Sequence, residues 1–224
     1  MSHMNVPVLA IDGPSGAGKG TVSRAVAGRL GWHFLDSGAM YRALGIAVSE
    51  RGVSLDEIDT IARIALDMNL RFAAGEPPTV WLDDVDITDR LPTEETGAIA
   101  SRIAGYAPVR QALLQKQRDF RQAPGLVADG RDMGSVVFTD AAYKIFLTAR
   151  VEVRAERRYR QLKQKGMDVN LARLTEELEA RDRRDRERSE APLVQVPGAV
   201  LVDTSELTIE EAINRCLAVV RNPT

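Results

Sequence analysis

The stretch 13-GPSGAGKGT-21, arriving straight after the apolar run 6-VPVLAI-11, constrains this chain more than anything else in it. A short hydrophobic strand that runs into a glycine-rich turn, a lysine and a hydroxyl is the pattern of a phosphate cradle. The turn lets backbone N–H groups converge on an anion, and the helix that follows points its positive end at the same charge. Such a loop requires a strand before it and a helix after it, and Val6–Ile11 and the amphipathic Lys19–Leu30 supply both. The usual form of the motif places Ser or Thr directly after the lysine, where the hydroxyl holds Mg²⁺. Here Gly20 stands in that position and Thr21 comes one residue late. The loop is therefore a variant, and the rest of the chain has to say of what.

Beyond the loop, short apolar runs alternate with longer amphipathic ones. Strands are predicted at Val6–Ile11, His33–Leu35, Leu126–Ala128, Tyr143–Leu147 and Ala199–Val202. Helices are predicted near Lys19–Leu30, Met40–Arg51, Pro108–Arg121, Val151–Lys165 and Thr208–Arg221. This alternation predicts a parallel sheet covered by helices, with ligands at the carboxyl ends of its strands. Four strands end in polar clusters: Asp12-Gly13, Asp36-Ser37-Gly38, Asp129-Gly130-Arg131-Asp132 and Asp203-Thr204-Ser205. All four are expected to open on one crevice. The rhythm breaks at 70-LRFAAGEPPTVWLDDVDITD-89, where apolar and polar residues alternate around a Gly-Glu-Pro-Pro turn. Alternation of that kind predicts a small antiparallel insert, with Trp81 packing it.

Composition narrows the chemistry. The 224 residues carry a net charge of -2, so no basic field invites nucleic acid or an acidic membrane surface. Apolar runs fall well short of the roughly 20 residues of a membrane span. Met1-Ser2-His3-Met4 reads as a cloning scar, which leaves His33 as the one native histidine and disfavours histidine triads and multi-histidine metal sites. Cys216 is the single cysteine and lies at helical spacing with Ile209, Ile213, Leu217 and Val220, as a core thiol does. A reducing cytoplasm is the expected setting. The absence of an Asn-Lys-x-Asp segment weighs against a GTPase.

Arginines mark a second anion site. Asp36 or Ser37 is expected to cap a helix starting near Met40, with Tyr41 and Arg42 in its first turn. A cation there opposes the helix dipole and is better explained by an anionic ligand. Arg131 and Asp132 follow a buried strand between glycines, and Arg110 belongs to the helix just upstream of that strand. Arg42, Arg110 and Arg131 together suit a second phosphate-bearing molecule. After the fourth strand, Arg154, Arg157 and Arg158 share one helix face, as do Arg181, Arg184, Asp185 and Arg188. By themselves these are solvated helices laced by pairs such as Asp182–Arg186 and Arg183–Glu187. Beside a phosphate loop they predict an arm that closes over bound nucleotide and shuts out water.

Taken together, these motifs resemble the nucleoside monophosphate kinases, and within them the bacterial-type cytidylate kinases. The resemblance runs from Val6 onward through Gly-Lys-Gly-Thr at 18–21, Asp36-Ser37-Gly38 with Tyr41 and Arg42, 128-ADGRDMG-134 and Arg181 to Arg188. It implies a P-loop NTPase fold, three-layer α/β/α, with a five-stranded parallel sheet, a small antiparallel accessory sheet and a helical lid. The implied division is a core (5–36, 106–150, 191–224), a monophosphate-binding region (37–105) and an arginine-rich arm (151–190). ATP would lie on Gly13, Pro14, Ser15, Gly16, Ala17, Gly18, Lys19, Gly20 and Thr21, under Arg154, Arg157 and Arg158. The phosphate of CMP or dCMP would be held by Ser37, Arg42 and Arg131 beside Asp36 and Asp129. Ser101, Arg110, Asp132 and Arg188 would read the cytosine edge, and Arg181 with Asp185 would contact the sugar. Lys19, Arg131 and Arg158 would assist the transfer directly. Mg²⁺ is the expected cofactor, with Thr21 and Asp129 orienting its water in place of a direct ligand. A cytoplasmic monomer with no nucleic-acid or membrane partner is expected.

Overall fold

The computed structural model describes residues 6–73, 79–164 and 166–221. Along these the chain forms β1 (Val8–Asp12), α1 (Lys19–Leu30), β2 (His33–Asp36), α2 (Ser37–Glu50) and α3 (Ile58–Asp67). Then come β3 (Leu70–Ala73), β4 (Thr79–Leu82), β5 (Val85–Asp86), α4 (Glu94–Ile103) and α5 (Ala107–Arg118). β6 (Leu126–Gly130) leads through one wide helical turn, Met133–Val137, to β7 (Tyr143–Thr148). α6 (Val151–Gln164), α7 (Leu171–Glu187), β8 (Val200–Asp203) and α8 (Ile209–Arg221) complete it. The expected cloning scar at 1–4 and the Gly-Glu-Pro-Pro turn at 75–78 lie outside the described residues.

The chain divides into two compact units, one from Met1–Leu35 and Phe120–Thr224 and one from Asp36–Asp119. The first is organised by a five-stranded sheet in the order β2-β6-β1-β7-β8. β1 and β6 are buried along their whole length, which a strand tolerates only with neighbours on both edges and helices on both faces. β1 pairs in parallel with β6 (Ala10 beside Ala128) and with β7 (Ala10 beside Lys144), and β7 pairs in parallel with β8. These strands therefore share one carboxyl edge. The chain steps to one side of β1 for β2 and β6 and to the other for β7 and β8, so β1 ends at the switch point where α/β sheets bind ligands. Leu9, Ile11, Val22, Val26, Val127, Ile145, Ile213 and Cys216 are among the buried side chains of this unit. Burial pushes the Cys216 thiol up to about 12, as expected of a core thiol rather than a nucleophile. Trp32 packs so closely on Gly125 that a Cβ there would sit 2.3 Å from the indole, and its ring lies 6.4 Å from that of Tyr143.

The second unit holds α2 to α5 and the predicted accessory sheet, which is antiparallel in the order β3-β4-β5. α2 packs on α4 and α3 on α5 around Leu44, Ile61, Ile103 and Leu113. Trp81 of β4 lies within this sheet, with the Arg71 guanidinium 6.0 Å from its ring. One expectation fails at α2. The Asp36 carboxylate accepts the Ala39 N–H at 2.8 Å, so it caps a helix that starts at Ser37 rather than near Met40. Arg42 is consequently in the second turn. The dipole argument that singled it out does not apply there, because the helix-end charge fades within the first turn.

Candidate active site

In the first unit the glycine-rich loop connects β1 to α1, and steric fit explains its composition. Gly13 has φ +153°, and a Cβ on it would stand 1.9 Å from the Leu147 carbonyl oxygen. The loop can cross β7 only with no side chain there. Gly18 caps α1 at φ +88°, in the left-handed region that glycine occupies without strain. Lys19, at the first position of α1, is buried and donates to the Pro14 carbonyl at 3.0 Å, so it folds back over its own loop. Its ammonium lies 3.9 Å from Asp129 at the end of β6. Burial first, and the like charge of Arg131 second, lower the Lys19 pKa to about 8, against the opposing pull of Asp129 and Asp12. A lysine in this condition is one to which a polyphosphate would restore a full counter-charge.

The sequence places Asp12 among the polar strand ends facing the crevice but assigns it no role there, and the structure supplies one. Its two oxygens accept the N–H groups of Met133 and Gly134, each at 2.8 Å, and so fasten the wide turn after β6 to the end of β1. Burial raises its pKa to about 6, with the two backbone N–H groups working in the other direction and Asp132 adding to the rise. Arg131, carried between β6 and this turn, donates through Nε to Asp185 of α7 at 3.0 Å and through Nη1 to the Gly130 carbonyl. For Asp185, burial pushes the carboxyl up, but Arg131, Arg188 and Arg181 overcome it and hold the group below the usual range. Arg131, Arg181, Asp185 and Arg188 thus fall in one charged neighbourhood, and Asp132 lies close enough to Asp12 to act on its carboxyl.

The arm is more deeply engaged than a solvated helix pair. Arg154 is buried and donates to the Ala149 carbonyl at 2.8 Å, to the Ser15 carbonyl of the phosphate loop at 3.0 Å and to Asp182 at 2.6 Å. Asp182 therefore turns to Arg154, 28 residues away, rather than to Arg186 as helical spacing suggests. Arg157 donates to the hydroxyl and carbonyl of Thr204, whose hydroxyl also lies 3.2 Å from the Ala17 carbonyl of the loop. Arg158 is half-buried and donates to Gln161. Thr21 is exposed, and a Cβ on Gly20 would lie 3.5 Å from Asp129. The position that a direct hydroxyl ligand takes in the commoner loop is thus open beside a carboxylate.

In the second unit, Ser37 is buried and donates to Gln117 at 2.9 Å. Arg42 donates to the carbonyls of Leu91 and Thr93 at 2.7 and 3.1 Å, and Arg110 to that of Ala104 at 3.2 Å. The Ser101 hydroxyl is buried with no hydrogen-bond partner among the described residues. A buried hydroxyl left so is unusual enough to ask for a ligand.

A glycine-rich loop closing on a buried lysine at the switch point of a parallel sheet defines a P-loop nucleotide-binding protein. The chain belongs to the cytidylate kinase family, whose profile matches residues 9–222. It is 60% identical to a cytidylate kinase of Methylococcus capsulatus over 97% of this chain and 98% of that protein. It is 51% identical to one of Stutzerimonas stutzeri (95% of this chain, 94% of that one) and 48% identical to one of Colwellia psychrerythraea (95% of each). Among the described residues no helix is long and apolar enough to cross a membrane.

Proposed function

We propose that this chain transfers the terminal phosphoryl group of ATP to CMP and dCMP, giving CDP and dCDP. Membership of the cytidylate kinase family across residues 9–222 is the observation that carries this reading. An oxygen of the acceptor phosphate attacks the terminal phosphorus in line; one P–O bond forms as the bond to the β-phosphate oxygen breaks, and ADP leaves. The acceptor oxygen has a second pKa of about 6 and arrives largely ionised, so no side chain has to serve as a base. The protein's part is positioning and charge neutralisation. Residues 13–21 hold the donor phosphates, Lys19, Arg131 and Arg158 meet the charge on the transferring group, and Arg154, Arg157 and Arg158 belong to the arm over the donor. Ser37, Arg42 and Arg131 hold the acceptor phosphate beside Asp36 and Asp129. Ser101, Arg110, Asp132 and Arg188 read the base, while Arg181 and Asp185 contact the sugar.

Mg²⁺ held by the donor phosphates would supply further positive charge at the bond that breaks. The side chains present suit an ion held mainly by phosphate and water, since no group of three or more acidic, histidine or cysteine ligands occurs among the described residues. Thr21 and Asp129 would orient that water. The enzyme is taken to act as a cytoplasmic monomer. The test is diphosphate formation from a panel of nucleoside monophosphates with ATP and Mg²⁺. CMP and dCMP should be strongly preferred, with almost no ATP turnover when the acceptor is omitted; equal rates on AMP and CMP would reject the proposal.

A further inference from the structure

The buried pair Arg154–Asp182 has no place in the account above beyond its position under the donor loop. Arg154 sits in the first turn of α6 and holds three partners at once: the strand-end carbonyl of Ala149, the phosphate-loop carbonyl of Ser15 and the Asp182 carboxylate. The loop rests directly on its stem, since a Cβ on Gly16 would lie 3.3 Å from the Arg154 Cβ. Asp182 is equally committed. One oxygen takes Arg154 at 2.6 Å, and the other is buried with no hydrogen-bond partner among the described residues. Its orientation is therefore governed by that arginine. One helical turn further along α7, Asp185 is bound to Arg131 at 3.0 Å. The helix is thus attached at two points, to the donor loop through Asp182 and to the end of β6 through Asp185, and Arg181 directly precedes the first of them.

We infer that Asp182 is a positioning residue that couples the two substrates, by transmitting the state of the phosphate loop through Arg154 to α7. The inference rests on the proposed function, in which Arg181, Asp185 and Arg188 serve the acceptor. When donor phosphates fill the loop, the Ser15 carbonyl and Arg154 are fixed, and Asp182 then holds α7 in the register that presents those three residues. Donor and acceptor accordingly raise each other's affinity, and by linkage the factor is the same in either direction.

The experiment measures the Kd of CMP by calorimetry with and without saturating non-hydrolysable ATP analogue and Mg²⁺. The protein is tested as wild type, as Asp182→Asn, and as the double variant Arg154→Met with Asp182→Leu. The double variant removes both charges together and so leaves no unpaired buried ion, which protects the fold. The wild type should bind CMP at least about fivefold more tightly with the analogue present. That ratio should fall below about twofold in Asp182→Asn with each nucleotide alone still bound, and in the double variant at analogue concentrations that its own titration shows to be saturating; each variant should melt cooperatively. A wild-type ratio in either folded variant, or no coupling in the wild type, overturns the inference. A purely structural role for the pair would lower the melting temperature and leave the ratio intact. Failure of CMP to bind the wild type at all would instead reject the proposed function, so the two readings fail separately.

Discussion

The ion pairs Arg154–Asp182 of the first unit and Arg71–Asp84 of the second are nearly equal in length, 2.6 and 2.5 Å, and opposite in surroundings. The side chains of the former are 4% and 6% exposed, those of the latter 58% and 78%. Water competes for both members of the exposed pair, so the bond adds little to stability. In the buried pair each ion has lost its water, so removing one partner strands a charge at a cost of about 3–5 kcal/mol. Distance therefore does not rank these contacts; burial does. Lys19 and Asp12 belong with the buried class, each kept in place by backbone groups of the loop or of the turn after β6, whereas Arg131, 21% exposed and held by Asp185 of α7, stands between the two classes.

The sharpest way to test this contrast is Lys19→Met. Turnover should drop about 10²- to 10³-fold, as expected when one preorganised donor to the developing charge is lost. Thermal stability should hold or rise, because burial already penalises the lysine's charge. In the wild type the same penalty predicts that kcat/KM for ATP declines above about pH 8, the pKa of Lys19 in the free enzyme. A profile flat to pH 10 would remove Lys19 from the buried class. Arg131→Ala should reduce turnover at least about tenfold, and it should also destabilise the fold by stranding Asp185. Near-normal kinetics would take Arg131 out of the site.

Asp12→Asn reads the same contrast through pH. In the native protein Asp12 keeps its proton up to about pH 6, whereas the unfolded chain releases it near 3.8. Its contribution to stability is therefore fully present below pH 3.8 and is lost as pH rises through 6. Over that window its slope is at most about 1.4 kcal/mol per pH unit. Denaturant titrations of the asparagine variant should show that component gone; an unchanged slope would mean that Asp12 is solvated. The smallest effect belongs to Arg71→Ala, which should cost under about 1 kcal/mol in the same titrations. A larger loss would show that the Trp81 contact, rather than the ion pair, carries the residue.

Much of the sheet was legible in the chain because its signals are local. The run 6-VPVLAI-11 and the glycines after it predict a strand and a loop within one stretch, and β1 and α1 form there. The accessory sheet was equally plain from alternation, and β3 to β5 take it up. By contrast, α3 carries no motif that sets it apart and is not predicted, while the small-residue helix at 96–105 matches α4. The start of α2 was misjudged because Asp36 and Ser37 are both competent caps, and only the hydrogen bond to Ala39 decides between them. Asp182 was read through helical spacing, which offers Arg186; its real partner lies on another helix, where spacing has no reach. Asp12 is legible as a polar strand end on the crevice but its role is not, since nothing in a linear chain shows that the N–H groups of Met133 and Gly134 will come to it.

The packing of Trp32 on Gly125 has a practical consequence. The chain contains two tryptophans, Trp32 in the first unit and Trp81 in the second, so each unit carries its own intrinsic fluorophore. Trp32→Phe leaves the emission of the accessory-sheet unit alone, and Trp81→Phe leaves that of the sheet bearing the phosphate loop. Quenching and melting curves of the two variants therefore report on the units one at a time, without any added dye.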